Sequence, residues 1–175
     1  TVVGRLEKLE ALLARGTDRL DEAVPLIAAV LGIPVGERYP LPEMIPQRQK
    51  QRTLEVLVDQ LEGLSAEQPV LLTHEDVHWI DPTTQELLGL TIERIQRLPV
   101  LALTIFRPEF SPPWAGLPHV SALALTRLGR RDGAAMVEQV VGDRALPDEV
   151  AALIVAKTDG VPLFVEELTK TVLES

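Results

Sequence analysis

Two adjacent acidic residues, Glu75 and Asp76, follow a short apolar run and offer the clearest chemistry in this 175-residue chain. The run, Val70–Leu72, is opened by Pro69 and is typical of a buried strand in a parallel sheet. Ligands of open α/β sheets bind outside the carboxyl ends of the strands. Of two carboxylates there, one can bind Mg²⁺ and the other can polarise the water that attacks a phosphate. The alternative interpretation is an ordinary solvated Glu-Asp turn.

The same stretch also matches a zinc-protease motif. Residues His74–His78 have the form H-E-x-x-H, in which two histidines bind zinc and the glutamate activates a zinc-bound water. That chemistry requires a helix, because only a helix places both histidines on one face. The preceding strand pattern and the helix start at Asp81-Pro82 leave little room for it. A zinc hydrolase is therefore a minor alternative, and His119 lacks ligand spacing.

Three segments of the chain resemble the STAND ATPases, which are signal-transduction relatives of the AAA+ proteins. Glu75–Thr83 is similar to their extended Walker B segment, and Leu103–Phe110 is similar to their sensor-1 strand, which ends in an arginine. Thr158–Leu168 resembles the G-x-P helix of their lid domain. The segments occur in the family's order and at similar spacing. The likeness is greatest to ATPase modules beside bacterial class III adenylate/guanylate cyclase domains, and it covers about Gln47 to the C-terminus.

The resemblance implies roles for individual residues. Glu75 and Asp76 would bind Mg²⁺, with Glu75 on the metal side and Asp76 polarising the attacking water, although these roles can be exchanged. Arg107 would sense or stabilise the γ-phosphate of ATP; a salt bridge to a nearby acid is the alternative. Gly160 and Pro162 would lie against the adenine, or else form a plain helix N-terminus. The sequence has no G-x-x-x-x-G-K-S/T loop, so the resemblance implies a fragment that starts after it.

The pattern along the chain predicts an α/β fold, with a partial P-loop NTPase-type parallel sheet flanked by helices and then a small all-α lid subdomain. Residues 1–126 are expected to form the partial core, with a helical insert over 1–46 and the Walker-B-like and sensor-1-like strands within 69–106. A right-handed crossover would make these strands parallel and adjacent. A third short strand is predicted over His119–Leu125. Residues 127–175 are expected to form the lid.

Neighbours of the acidic pair are expected to support it. His78 and Trp79 are predicted to pack beneath the pair and to orient it. Asp81 is predicted to be the N-cap of the next helix, with Pro82 at its first position, and Asp21 is predicted to cap an earlier helix.

Composition restricts the partners. A net charge of −9 disfavours nonspecific binding to nucleic acid or anionic membranes. The chain has no cysteine, which fits a reducing cytoplasm. No apolar stretch has membrane-spanning length, and no signal peptide opens the chain. We therefore expect a cytoplasmic protein without nucleic-acid or membrane contacts.

Taken with the resemblance, these observations predict an ATP-binding and ATP-hydrolysing regulatory module of a multidomain signalling protein. Its expected partners are ATP with Mg²⁺ and linked signalling domains such as a nucleotide cyclase; a homo-oligomer is an open alternative. The chain alone is expected to turn over ATP poorly or not at all, because the phosphates lack a backbone nest and a lysine. The main rival is a non-enzymatic scaffold, in which nucleotide occupancy matters and hydrolysis does not.

Overall fold

The computed structural model describes residues 2–40 and 43–174 and is mixed α/β. The chain divides into two compact units, Thr1–Ser121 and Ala122–Ser175. Within the described ranges, no helix is both long enough and apolar enough to cross a membrane.

The first unit begins with three helices, α1 (Val2–Leu13), α2 (Leu20–Val30) and α3 (Pro46–Glu67). They share an aliphatic core, because leucines and valines recur at helical spacing on the facing sides. The predicted cap at Asp21 is wrong. Helix α2 starts at Leu20, the residue before Asp21. Asp21 therefore lies in the first helical turn, where its negative charge interacts favourably with the helix dipole. The start of α3 at Pro46 agrees with the sequence prediction.

A two-stranded parallel sheet follows. Strand β1 (Val70–His74) pairs with strand β2 (Val100–Thr104), and helix α4 (Pro82–Arg94) lies between them in the chain. The register pairs Val70 with Val100 and His74 with Thr104, so both strands end at the same edge. The predicted parallel and adjacent pair is therefore confirmed, and helices flank the sheet.

Burial of the strands differs from the prediction. Along both strands exposed and partly buried side chains alternate. Leu71 is 64% exposed and Leu101 is 67% exposed, and both lie on the face that also carries Leu103. A continuous apolar run predicts cover on both faces, as parallel strands usually have. Within the described part of the first unit only one face of this sheet is covered, which is why the expectation of buried strands is wrong.

The third strand predicted over His119–Leu125 does not form. The chain turns after β2, where the Phe110 amide donates to the Arg107 carbonyl at 3.0 Å. It then packs against α4 as irregular structure, with Trp114 buried in a cluster with Leu88 and Ile92. A ring nitrogen of His119 lies 2.8 Å from the Ile92 carbonyl oxygen, which holds this segment on the helix instead of along the sheet.

Ion pairs fix α4 against α3. The Arg94 guanidinium lies 2.6 Å from a Glu62 carboxylate oxygen, and the Lys50 ammonium lies 2.6 Å from Glu86. The hydrogen bond that Arg94 donates to Glu62 is the largest cause that raises the pKa of Arg94. Such exposed pairs each contribute little stability.

The second unit is helical. It contains α5 (Arg130–Val141), α6 (Asp148–Thr158) and α7 (Pro162–Glu174). All three helices pack against one another around a small aliphatic core, formed by Val137, Val141, Ile154 and Val165.

At Gly63, helix α3 approaches the turn after α1 without room for a side chain. A Cβ atom added at Gly63 would lie 1.7 Å from the carbonyl oxygen of Gly16. We predict that Gly63→Ala lowers the free energy of unfolding by at least about 2 kcal/mol, because backbone must shift to admit the methyl group. Urea unfolding followed by circular dichroism measures the change.

Gly89 provides the matched control. It lies within helix α4, and a Cβ added there would meet no atom within 4 Å beyond its chain neighbours and the backbone of its own helix. Gly89→Ala should therefore stabilise the protein by about 0.5–1 kcal/mol, as expected for a helix interior. Equal stability of the Gly63→Ala variant and the natural protein would contradict the close approach.

Candidate functional site

The backbone at the carboxyl end of β1 is fixed by two hydrogen bonds to one residue of the neighbouring chain segment. The Ile105 amide donates to the His74 carbonyl at 2.8 Å, and the Val77 amide donates to the Ile105 carbonyl at 3.0 Å. Glu75 and Asp76 lie between these bonds and are turned out of the ladder. Asp76 has φ 53° and ψ 36°, a left-handed conformation that aspartate tolerates better than most residues.

The turn that follows is anchored in the core. A short 3₁₀ helix spans Val77–Trp79, and the Trp79 amide donates to the Asp76 carbonyl at 2.9 Å. Val77 is buried in the cluster that contains Leu88 and Trp114. The backbone of the acidic pair is therefore held from both sides while its side chains remain outside.

Both carboxylates are open to solvent. Glu75 is exposed, and the Asp76 side chain is 78% exposed. Neither makes a hydrogen bond to another described side chain. Two neighbouring carboxylates without a lysine or arginine partner are suited to a divalent cation, since Mg²⁺ typically takes one or two carboxylates and fills its other positions with water and phosphate.

Arg107 follows Ile105 by two residues and is exposed. The sequence left open a salt bridge from Arg107 to Glu75, Asp76 or Glu109. No such ion pair occurs among the residues that the structure describes, so the guanidinium remains available for an anion. Arg107 and the two carboxylates thus leave the carboxyl ends of adjacent, parallel strands.

The predicted N-cap at Asp81 is confirmed. Its Oδ1 accepts hydrogen bonds from the amides of Thr83 at 2.9 Å and Thr84 at 3.2 Å, and the Thr84 hydroxyl donates to Oδ2. The hydroxyl of Thr84 is the largest cause that lowers the pKa of Asp81, and the two amides act in the same direction. This third carboxylate is therefore committed to starting α4 and not to the acidic pair.

The predicted packing beneath the acidic pair is wrong for Trp79 and stays a prediction for His78. His78 is 11% exposed, but Trp79 is 77% exposed. A 3₁₀ turn places successive side chains about 120° apart, so Val77 and His78 point inward and Trp79 points outward. The rings of His78 and Trp79 remain close, with centroids 5.3 Å apart.

The backbone that the zinc alternative requires is absent from this segment. His74 ends a strand, Asp76 is left-handed, and His78 lies in a 3₁₀ turn, so the two histidines do not share a helical face. Within the described part of the chain, no group of three or more His, Cys, Asp or Glu side chains is arranged to hold a metal. The H-E-x-x-H spacing is therefore accidental.

Gly160 and Pro162 lie in the second unit. Gly160 has φ 70°, is buried, and accepts a hydrogen bond at its carbonyl from the Leu128 amide at 2.8 Å. A Cβ atom there would lie 2.3 Å from the Leu128 carbonyl oxygen, so this position requires glycine. Pro162 is exposed at the start of α7. The observed geometry gives both residues backbone roles.

Surface hollows occur elsewhere in the first unit. One of about 400 Å³ lies between α3 and α4, and another of about 540 Å³ surrounds the loop after α1. Neither is lined by Glu75, Asp76 or Arg107. The acidic pair therefore lies on an open edge of the sheet and not in an enclosed cavity.

Comparison with known proteins shows similarity to an uncharacterized bacterial protein. The chain is 30% identical over 132 residues to an uncharacterized protein of Rhizobium meliloti (strain 1021). That match covers 74% of this chain but only 13% of the relative. No family model and no solved structure matches the chain.

The pKa of Asp81 predicts a pH dependence. Because hydrogen bonding lowers the folded pKa below the ordinary value of 3.8, the stabilisation is present above that value and is lost as the pH falls through the folded pKa. We expect Asp81→Asn, which keeps the cap but cannot titrate, to lose less stability than the natural protein on acidification. Thermal unfolding at about pH 6 and about pH 2.5 tests this. Parallel acid losses in the two proteins would contradict it.

Proposed function

We propose that this chain is part of an ATP-binding and ATP-hydrolysing regulatory module of the STAND type, and that Glu75 and Asp76 supply its metal and water chemistry. The observation that carries the proposal is the placement of the acidic pair. Both residues are exposed, have no lysine or arginine partner in the described structure, and leave the carboxyl end of β1 beside β2. Open α/β sheets bind their ligands at this edge.

The proposed chemistry divides the three charged residues by role. Mg²⁺ would neutralise charge on the β- and γ-phosphates, and Glu75, whose side chain is the longer, would hold it directly or through water. The Asp76 carboxylate would polarise the attacking water. Arg107, which has no carboxylate partner among the described residues, would stabilise the charge that develops on the γ-phosphate.

The remaining groups around ATP must come from elsewhere. The sequence contains no phosphate-binding loop, so this proposal places the chain within a longer polypeptide that supplies one. The Rhizobium relative is in keeping with this, since the matched region is 13% of its length. Gly160 and Pro162, at the start of α7, would lie against the adenine in the same proposal.

The resemblance to the STAND ATPases also supports a proposal for the location and partners of the module. The module would be cytoplasmic and would switch a linked signalling domain, such as a nucleotide cyclase, without contacting nucleic acid or membrane. A homo-oligomer is compatible with that arrangement. The net charge of −9 supports the exclusion of nucleic acid and anionic lipid.

One observation favours a scaffold as a second candidate. The uncovered sheet face carries three leucines, Leu71, Leu101 and Leu103, which is more typical of an interface than of a solvent-facing surface. In a scaffold, nucleotide occupancy would matter and hydrolysis would not. An unchanged signalling output in the Asp76→Asn variant of the natural polypeptide would favour this candidate.

The test is an Mg·ATP titration combined with a turnover assay on the natural polypeptide of which, in this proposal, the chain is one part. We predict that Asp76→Asn lowers kcat by at least about 100-fold, as expected for loss of a general base. Binding of Mg·ATP should change little, because the metal-side carboxylate remains. The isolated chain should hydrolyse ATP at or near background, since it lacks the groups that cradle the phosphates.

Glu109→Gln is the matched control. Glu109 is an exposed carboxylate two residues beyond Arg107, and its removal changes the net charge as Asp76→Asn does. It should leave kcat unchanged. Failure of Mg·ATP to bind the natural polypeptide would contradict the proposed function, and so would undiminished turnover in Asp76→Asn.

A further inference from the structure

His78 is a largely buried histidine whose two ring nitrogens are buried and make no hydrogen bond. Its side chain is 11% exposed, and neither Nδ1 nor Nε2 has a hydrogen-bond partner within the described structure. A neutral imidazole always carries one N–H donor. A buried donor left unpaired destabilises a fold by about 1–3 kcal/mol, so an acceptor within reach should be used.

That acceptor is the carboxylate of Asp76. Its Oδ1 lies 4.0 Å from Nε2 of His78, which is beyond hydrogen-bond length but within reach of a side-chain rotation. The backbone of Asp76 is fixed by the turn, whereas its side chain is 78% exposed and free of other hydrogen bonds among the described residues. The carboxylate can therefore rotate towards the ring without any movement of the backbone.

The neighbouring carboxylate has no equivalent partner. Glu75 is exposed, and no histidine nitrogen lies within ion-pair distance of it among the described residues. The imidazole thus distinguishes two acidic residues that the sequence alone left exchangeable. A carboxylate with one oxygen held by an N–H donor keeps its second oxygen for a water molecule.

We infer that His78 is a positioning residue, whose Nε2–H donates to Oδ1 of Asp76 and aims its second oxygen at the attacking water. Glu75 would then be the carboxylate that binds the metal. The inference concerns hydrogen bonding by the neutral ring and not its protonation. Its catalytic consequence rests on the proposed function, but the hydrogen bond itself does not.

The first test needs only this chain. Nitrogen-15 NMR of the imidazole at mildly alkaline pH identifies which ring nitrogen carries the proton. We expect His78 to be protonated at Nε2, with a slowly exchanging proton. Asp76→Ala should accelerate that exchange at least about tenfold, because the charged acceptor is lost. The control Glu75→Ala, which removes the other carboxylate, should leave the exchange unchanged.

The second test separates positioning from packing in the natural polypeptide. His78→Phe keeps an aromatic ring but has no donor, whereas His78→Gln places an amide nitrogen near the position of Nε2. We expect His78→Phe to lower kcat at least about tenfold with KM and Tm unchanged, and His78→Gln to recover most of the activity.

Several results would overturn the inference. A His78 ring protonated at Nδ1 would show that the hydrogen bond does not form. An exchange rate of the ring proton that Asp76→Ala leaves unchanged would show the same. Equal kcat in His78→Phe and the natural protein, or a loss accompanied by a fall in Tm, would assign His78 to packing alone. Absence of turnover in the natural protein itself would contradict the proposed function, while the NMR result would still decide the His78–Asp76 contact.

Discussion

Two hydrogen bonds on Ile105 fix the backbone on which the proposed site depends. They join Ile105 to His74 and to Val77, and the two residues between those partners must leave the sheet. Because Val77 is buried, the exit of the chain is fixed, and the left-handed Asp76 completes the turn. The backbone of the acidic pair is therefore held while its two carboxylates face solvent.

The sheet that supports this turn is itself incompletely covered. Two parallel strands with one apolar face open to solvent are unusual, since parallel sheets normally lie between helices and contain more strands. Further structure packed on Leu71, Leu101 and Leu103 would remove this exposed surface.

The sequence predicted where helices start better than it predicted which side chains are buried. Strong signals such as Asp81-Pro82 and Pro46 located helix starts, because capping is decided within a few residues. Burial of Leu71 could not be judged from an apolar run, since cover depends on distant parts of the fold. The strand predicted over His119–Leu125 failed for the same reason: the bond to Ile92 holds that segment on α4. The exposed Trp79 follows from a 3₁₀ turn that the sequence did not reveal.

The central claim is that the carboxyl edge of β1 and β2 is a divalent-cation site. Manganese titration of the isolated chain tests it directly, because Mn²⁺ occupies oxygen sites like those of Mg²⁺ and broadens nearby NMR signals. The account predicts that the amide signals of Asp76, Val77 and Ile105 broaden first, and that Glu75→Gln combined with Asp76→Asn abolishes this preference. Equal broadening at acidic helix surfaces such as Asp59 and Glu62, unaltered in the double variant, would contradict it.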